Sequence, residues 1–266
     1  MQIVLDDVTK RYRAGQEPAV AAFSLAATAG ERLSVIGPSG AGKTTLFRLL
    51  TRSLVPDSGS VAVGGVDLAG LGQRELRRLR RRMGVIHQRG DLVPMSSALT
   101  NVAVGALGGM GTRTALRLSL RGPSGDMARR AYEALDEVEI ASLAHARVDE
   151  LSGGQRQRVA VARLLMQRPA LILADEPTAS VDPRSAGIVL DALERLATAG
   201  ATLLLATHDL SIARRQQRIL ALHHGRLAFS GETADLTAEV VEQVYAAADS
   251  GTGPAAEARP LAWGCR

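Results

Sequence analysis

The chain has 266 residues and 28.0 kDa, with 46% hydrophobic and 22% charged residues, a balance that excludes wholesale disorder and needs no disulfide or metal to fold. Aromatics are only 3%, which argues against stacking surfaces for sugars or single-stranded nucleic acid, and the lone cysteine, Cys265, excludes a disulfide framework and a cysteine zinc site. The net charge of +5 comes almost wholly from 30 arginines, against two lysines, Lys10 and Lys43.

The opening residues, Met1 to Asp7, lack the basic start and apolar run of a signal peptide. Residues 3–8 and 32–36 read as strands, bounded by Gly15, Gly30 and Gly37. A helical pattern covers 43–53, then Pro56-Asp57-Ser58-Gly59 reads as a turn before a short strand at 60–63. Arg74, Arg77, Arg78, Arg80, Arg81 and Arg82 form a dense basic run, read as a solvated helix face before a buried strand at 83–87. The longest uncharged stretch, 92–112, is broken by Pro94, Ser96, Ser97, Thr100, Asn101 and several glycines, so no membrane span is expected there.

Helical patterns dominate 92–150, notably 126–138. A helix is expected from about Gly154 to Gln167, an apolar strand at 171–174, a helix at 183–197 and a strand at 202–206. A hairpin-like pair at 219–222 and 226–229 follows. Strands alternating with helices imply an α/β fold with a parallel sheet, here interrupted by a helical insertion at about 89–152. Residues 249–266, rich in Gly, Ala and Pro, are expected to form a flexible C-terminal tail.

The strand at 32–36 runs into Gly37-Pro38-Ser39-Gly40-Ala41-Gly42-Lys43-Thr44-Thr45 and then a helix, the strand–loop–helix setting of a phosphate-binding loop. Glycines let the backbone N–H groups wrap a phosphate closely, and the helix start adds the positive end of its dipole. Lys43 supplies charge for the outer phosphates and the Thr44 hydroxyl suits Mg²⁺. A nucleoside triphosphate is the expected ligand.

The apolar strand Leu171-Ile172-Leu173-Ala174 delivers Asp175 to its carboxyl end, where the carboxylate can hold the metal through water. Glu176 follows and can polarise the attacking water as a general base. Leu151-Ser152-Gly153-Gly154-Gln155 stands before another helix, with Ser152 as N-cap and two glycines giving a second anion-binding start. One active site needs one cradle, so the second makes sense if it caps the γ-phosphate held by another copy.

With these motifs in order, the chain resembles the ATPase subunits of ABC transporters over about residues 1–230. Residues 37–45 are similar to the Walker A loop, Leu151 to Gln155 to the signature, and Leu171 to Glu176 to the Walker B strand. The resemblance implies a P-loop NTPase (RecA-like) core with an inserted helical subdomain and a small antiparallel β part, in one nucleotide-binding domain over 1–248. It implies that Tyr12, 25 residues before Gly37, stacks on adenine, and that Gln88 touches Mg²⁺ and the water. Asp182 falls in the D-loop, where Val181 replaces the usual Leu, and His208 is the switch histidine on the γ-phosphate. His87, His145, His223 and His224 lack such support and read as surface or packing residues.

The resemblance further implies ATP and Mg²⁺ as cofactors, and two copies closing head to tail on two ATP molecules. An integral membrane permease docks on the helical insertion, with an extracytoplasmic substrate-binding protein beyond it, at the cytoplasmic face of the cell membrane. No nucleic-acid partner is expected. Asn101-Val102-Ala103-Val104-Gly105-Ala106-Leu107-Gly108 with its long following arm, and the carboxyl-terminal Val244-Tyr245, are similar to phosphonate-importer ATPase subunits. Leu120 and Glu139-Ile140 depart from that group's pattern. The cargo so implied is a phosphonate or a related phosphorus oxyanion such as phosphite; lipoprotein-release and amino-acid-uptake branches share the same motifs, and a non-transport ATPase acting on nucleic acid is a further alternative.

Overall fold

The computed structural model describes residues 1–13, 15–87, 92–109, 112–179 and 181–250. In chain order the elements are strands β1 (Ile3–Lys10), β2 (Val20–Ala27) and β3 (Arg32–Ile36), helix α1 (Lys43–Leu50), and strands β4 (Ser58–Val63) and β5 (Val66–Asp67). Helix α2 (Gln73–Arg80) and strand β6 (Met83–Ile86) precede the helical stretch of α3 (Ala98–Ala103), α4 (Thr112–Arg121) and α5 (Asp126–Asp136). The chain continues through α6 (Gly153–Gln167), β7 (Leu171–Asp175), α7 (Pro183–Thr198) and β8 (Thr202–Ala206). It closes with α8 (Leu210–Ala213), β9 (Arg218–His223), β10 (Arg226–Glu232) and α9 (Ala238–Ser250).

Two sheets form. One is antiparallel, ordered β2-β1-β4-β5; the other, ordered β10-β9-β3-β8-β7-β6, is parallel apart from its β10 edge. Strands buried on both faces read as continuous apolar runs, and β7 and β8 do so because every one of their residues is buried. Alternate residues serve different cores. Leu33, Val35, Leu171, Leu173 and Leu204 pack with α1 and the antiparallel sheet, around Phe23 and Phe47. Ile172, Ala174, Leu203 and Leu205 face the other way, onto α6 and α7 and the helical stretch.

Several boundaries differ from the expectations. Strand β2 went unread because its run of alanines carries little β signal, and Ala22 at φ +47° interrupts the alternation. Ser58 and Gly59 belong to β4, not to a turn: Ser58 pairs with Thr9, and Gly59 at φ +80° sits at a bulge where a Cβ would strike the Asp6 and Asp7 carbonyls. Helix α1 stops at Leu50, and Arg52 at φ +51° turns the chain away. The basic run does lie on α2 and the turn after it, with only Leu76 of the helix buried. Asp249 and Ser250, expected in the tail, are instead the end of α9, which Ala246-Ala247-Ala248 carry forward, alanine being the strongest helix former. Residues 251–266 lie outside the described residues. No described helix is long and apolar enough to cross a membrane.

Candidate functional site

Three adjacent parallel strands, β3, β8 and β7, end side by side, and each hands its next residues to one place. After β3, Gly37 turns at φ +146°, a conformation only glycine adopts easily, and a Cβ there would stand 2.2 Å from the Leu222 carbonyl. Gly42, the N-cap of α1, has φ +107°, and a Cβ would meet the Ala19 carbonyl at 2.4 Å. The loop is closed by the Ala41 N–H donating to the Pro38 carbonyl (3.2 Å). The Gly225 N–H donates to the Ala41 carbonyl from outside (3.1 Å). Helix α1 has no side-chain cap, so the N–H groups of Lys43, Thr44 and Thr45 are open to an anion.

Lys43 is 7% exposed and curls back, its Nζ donating to the carbonyls of Gly37 (2.7 Å) and Pro38 (3.1 Å). Burial holds its pKa below the ordinary lysine value, against the pull of Glu176 and Asp175. The Thr44 hydroxyl donates to Asp175 Oδ2 at 2.8 Å. Asp175 is buried at the end of β7, and desolvation raises its pKa, opposed by the Thr44 hydrogen bond and by His87 and Lys43. A hydroxyl and a carboxylate in contact, beside an ammonium, make a hard-oxygen site that fits Mg²⁺ and phosphate oxygens together.

Glu176 turns off the strand at φ +49°, unusual for a side-chain-bearing residue. Its N–H donates to the Ala206 carbonyl (2.9 Å) and its carbonyl accepts from Ala179 N–H (3.1 Å), which lock the turn. His208, exposed after β8, brings Nδ1 to 3.5 Å from Glu176 Oε1. Lys43, Thr44, Asp175, Glu176 and His208 are thereby brought together from three segments. Tyr12 joins them at the rim, half exposed, with its hydroxyl 3.1 Å from Thr45 Oγ1 and 3.4 Å from Arg48 Nη1. Ser39 and Gly40 lie on the exposed outer turn of the loop. Gln88 lies outside the described residues, as does Ser180.

The second glycine-rich start is built differently. Ser152 caps α6: Gln155 N–H donates to its Oγ (3.3 Å), while Ser152 N–H donates to Gln155 Oε1 (2.8 Å). Gly154 is buried against α7, where a Cβ would come within 3.1 Å of Asp182 Oδ2 and Ser185 Oγ. Asp182 caps α7 by accepting from Ser185 N–H at 2.9 Å, and that bond, with one from the Ser185 side chain, holds its pKa below the usual carboxylate range. Among the described residues no hydrogen bond joins Ser152, Gly153, Gly154 or Gln155 to the 37–45 loop.

One support of the site was missed in the sequence. Pro18, Ala19 and Gly225 wall the loop from outside, with a Gly225 Cβ excluded at 2.8 Å by the Pro18 and Ala19 carbonyls. Gly225 ends a His-His-Gly turn, the one local cue available.

The ABC transporter family model matches residues 20–179. A phosphonates import ATP-binding protein of Ruegeria sp. (strain TM1040) is 41% identical over 91% of this chain and 93% of its own. Another, from Rhodopseudomonas palustris (strain BisB5), is 43% identical over 91% of this chain and 89% of its own. Among solved structures, a dimeric ATP-binding cassette in a post-hydrolysis state, bound to ADP and Pi, superposes with a TM-score of 0.75. It is 32% identical over 87% of this chain and 98% of that one.

Proposed function

The chain belongs to the ABC transporter family, and from that premise we propose that it is the ATP-hydrolysing subunit of a phosphonate importer. The observation that carries the hydrolytic reading is the meeting of Lys43, Thr44, Asp175, Glu176 and His208 at the ends of β3, β7 and β8. The cargo reading is supported by relatives of that name, matched over almost their whole length.

In this reading the 37–45 loop and the open start of α1 wrap the phosphates, and Lys43 turns from its two carbonyls to the outer ones. Tyr12 stacks on the base. Thr44, Asp175 and Gln88 would hold Mg²⁺, which when bound would supply positive charge against the phosphate oxygens. Glu176 takes a proton from the attacking water as its oxygen bonds to the γ-phosphorus and the bond to ADP breaks. His208 contacts the γ-phosphate. Ser152, Gly153, Gly154 and Gln155 of a second copy close over that phosphate, and Asp182 lies at the contact between the copies. A separate membrane permease docks on the helical stretch, which puts the chain at the cytoplasmic face of the cell membrane, with a substrate-binding protein on the far side.

The experiment pairs turnover with uptake. Glu176→Gln is expected to bind ATP normally, slow hydrolysis by about 10³-fold and accumulate an ATP-bound dimer. Cells lacking the gene should recover uptake of a labelled alkylphosphonate with the wild-type chain and not with that variant. Wild-type turnover by Glu176→Gln would remove the general base, and uptake unaffected by loss of the gene would remove the cargo.

A further inference from the structure

Six of the nine residues from Arg74 to Arg82 are arginine, and the nucleotide site uses none of them. All six are exposed. Helix α2 turns its two leucines inward, Leu76 buried and Leu79 packed on the core around Phe23 and Phe47. Its other face is basic and continues past the helix end through Arg81 and Arg82. Arg168, also exposed, ends α6 beside them: Gln167 Nε2 donates to the Arg81 carbonyl (3.3 Å) and the Ala170 N–H to the Arg82 carbonyl (2.8 Å).

Elsewhere in the chain exposed arginines meet acids, as Arg129 meets Asp126 and Glu133, and Arg215 meets Asp191 and Glu194. Among the described residues none of the six forms an ion pair. The one carboxylate of the run, Glu75, is engaged by the Gly72 N–H at 2.9 Å, closing the start of α2. Arg77 and Arg80 donate through Nε alone, to the Gln73 carbonyl (3.2 Å) and the Thr51 carbonyl (2.9 Å), which leaves their Nη atoms open. Like charges three and four apart on a helix repel, as Arg74 does with Arg77 and Arg78. The helix dipole favours cations in the last turn, but Arg74 stands in the first, where it disfavours them. An anionic surface opposite this face relieves both costs.

The face adjoins the helical stretch: a Cβ on Gly108 would lie 3.6 Å from the Cβ and Cγ of Arg81. We propose that the α2 face binds the anionic phospholipid headgroups of the membrane beside the permease. This rests on the reading above that the permease docks on the helical stretch, and adds to it a second hold made by this chain alone. Arginine suits phosphate because its planar fork can give two parallel hydrogen bonds to one phosphate group. With Leu76 and Leu79 committed to the protein interior, α2 has no apolar face to insert, so the contact is one of charge. Nucleic acid is the weaker match, since Arg74 to Arg82 holds no aromatic side chain to stack a base and no Asn or Gln to read one.

Co-sedimentation of the full chain with vesicles of phosphatidylcholine, alone or mixed with phosphatidylglycerol, tests this. Expected is binding to the mixed vesicles only, lost at high salt. Arg74→Gln, Arg78→Gln and Arg82→Gln together should weaken it about a hundredfold, at roughly fivefold per arginine, with Tm and ATP turnover kept. Lysine at the same three positions should preserve it. Removing three charges elsewhere, as Arg121→Gln, Arg195→Gln and Arg226→Gln, should cost less than about threefold. Binding to neutral vesicles, unchanged binding by the α2 variant, or equal loss in the variant altered elsewhere would overturn the proposal. Tighter binding to duplex DNA or RNA than to the mixed vesicles would also overturn it and give the face to nucleic acid. Vesicle binding needs neither permease, nucleotide nor cargo, so its failure and failure of the uptake experiment are read separately.

Discussion

Glycine stands at the start of both helices, as the N-cap Gly42 of α1 and as Gly153 and Gly154 of α6, yet the two starts are opposites. The α1 start has Gly42 at φ +107°, no side-chain cap and a buried lysine as its first residue. At the α6 start, Ser152 and Gln155 bond to each other's backbone. An uncapped helix start leaves donors that an incoming anion can take without displacing anything. A capped one is stable alone and presents an anion with a site whose donors are partly spoken for. In the proposed reading the first start holds phosphates of its own chain, and the second closes over a phosphate held by another copy.

That contrast can be broken at three points. The largest effect is expected at Lys43. Lys43→Met should weaken ATP binding by about a hundredfold, the loss of charge-assisted bonds to phosphate. The same change should raise Tm, because burial costs the native ammonium more than Glu176 and Asp175 return. The sign follows from its lowered pKa: in the window between the lowered native value and the ordinary one, the unfolded state holds the extra proton. Wild-type stability therefore rises with pH through that window, and the rise should vanish in Lys43→Met. Denaturant melts across that window check both statements.

Gly42→Ala comes next. The Cβ would meet the Ala19 carbonyl at 2.4 Å in a left-handed backbone, so a loss of about 2 kcal/mol is expected, with ATP binding lost as the loop shifts. A variant that melts and binds like wild type would mean the loop is slacker than its geometry. The smallest effect is at Ser152→Ala, which removes a cap worth about 1 kcal/mol and should leave the ATP affinity of a single chain unchanged. Weaker ATP binding by that variant at concentrations too low for dimers would erase the distinction between the two helix starts.

The contiguous parts of this site were readable before any coordinates. Gly37 to Thr45 carries its chemistry in nine consecutive residues, and β3 and β8 have the expected bounds because both are apolar runs closed by clear punctuation. Asp175 and Glu176 were placed by the apolar strand ahead of them. What sequence could not convey is contact across long separations: Ala19 and Gly225 against Gly42, Ser34 on the Ala213 carbonyl, and α9 packed on Ile36. None of these has a local periodicity, since each depends on which strand lies beside which. The unread β2 failed for another reason, its alanines being accepted by a sheet that packs them on β1 rather than by their own preference.

The order of strands also sets a timetable for synthesis. Strand β3, the root of the phosphate loop, finds its two neighbours in β8 and β9, and Ser34 bonds the Ala213 carbonyl 179 residues further on. At roughly 5–20 residues per second, the loop is made roughly 8–30 seconds before its flanking strand β8 begins. Through that interval Leu33, Val35 and Ile36 have no sheet to enter, so the nascent chain carries an apolar strand with unpaired edges. A ribosome-stalled chain ending before Thr202 should therefore hold chaperone and fail to retain ATP, although its phosphate-binding residues were made long before.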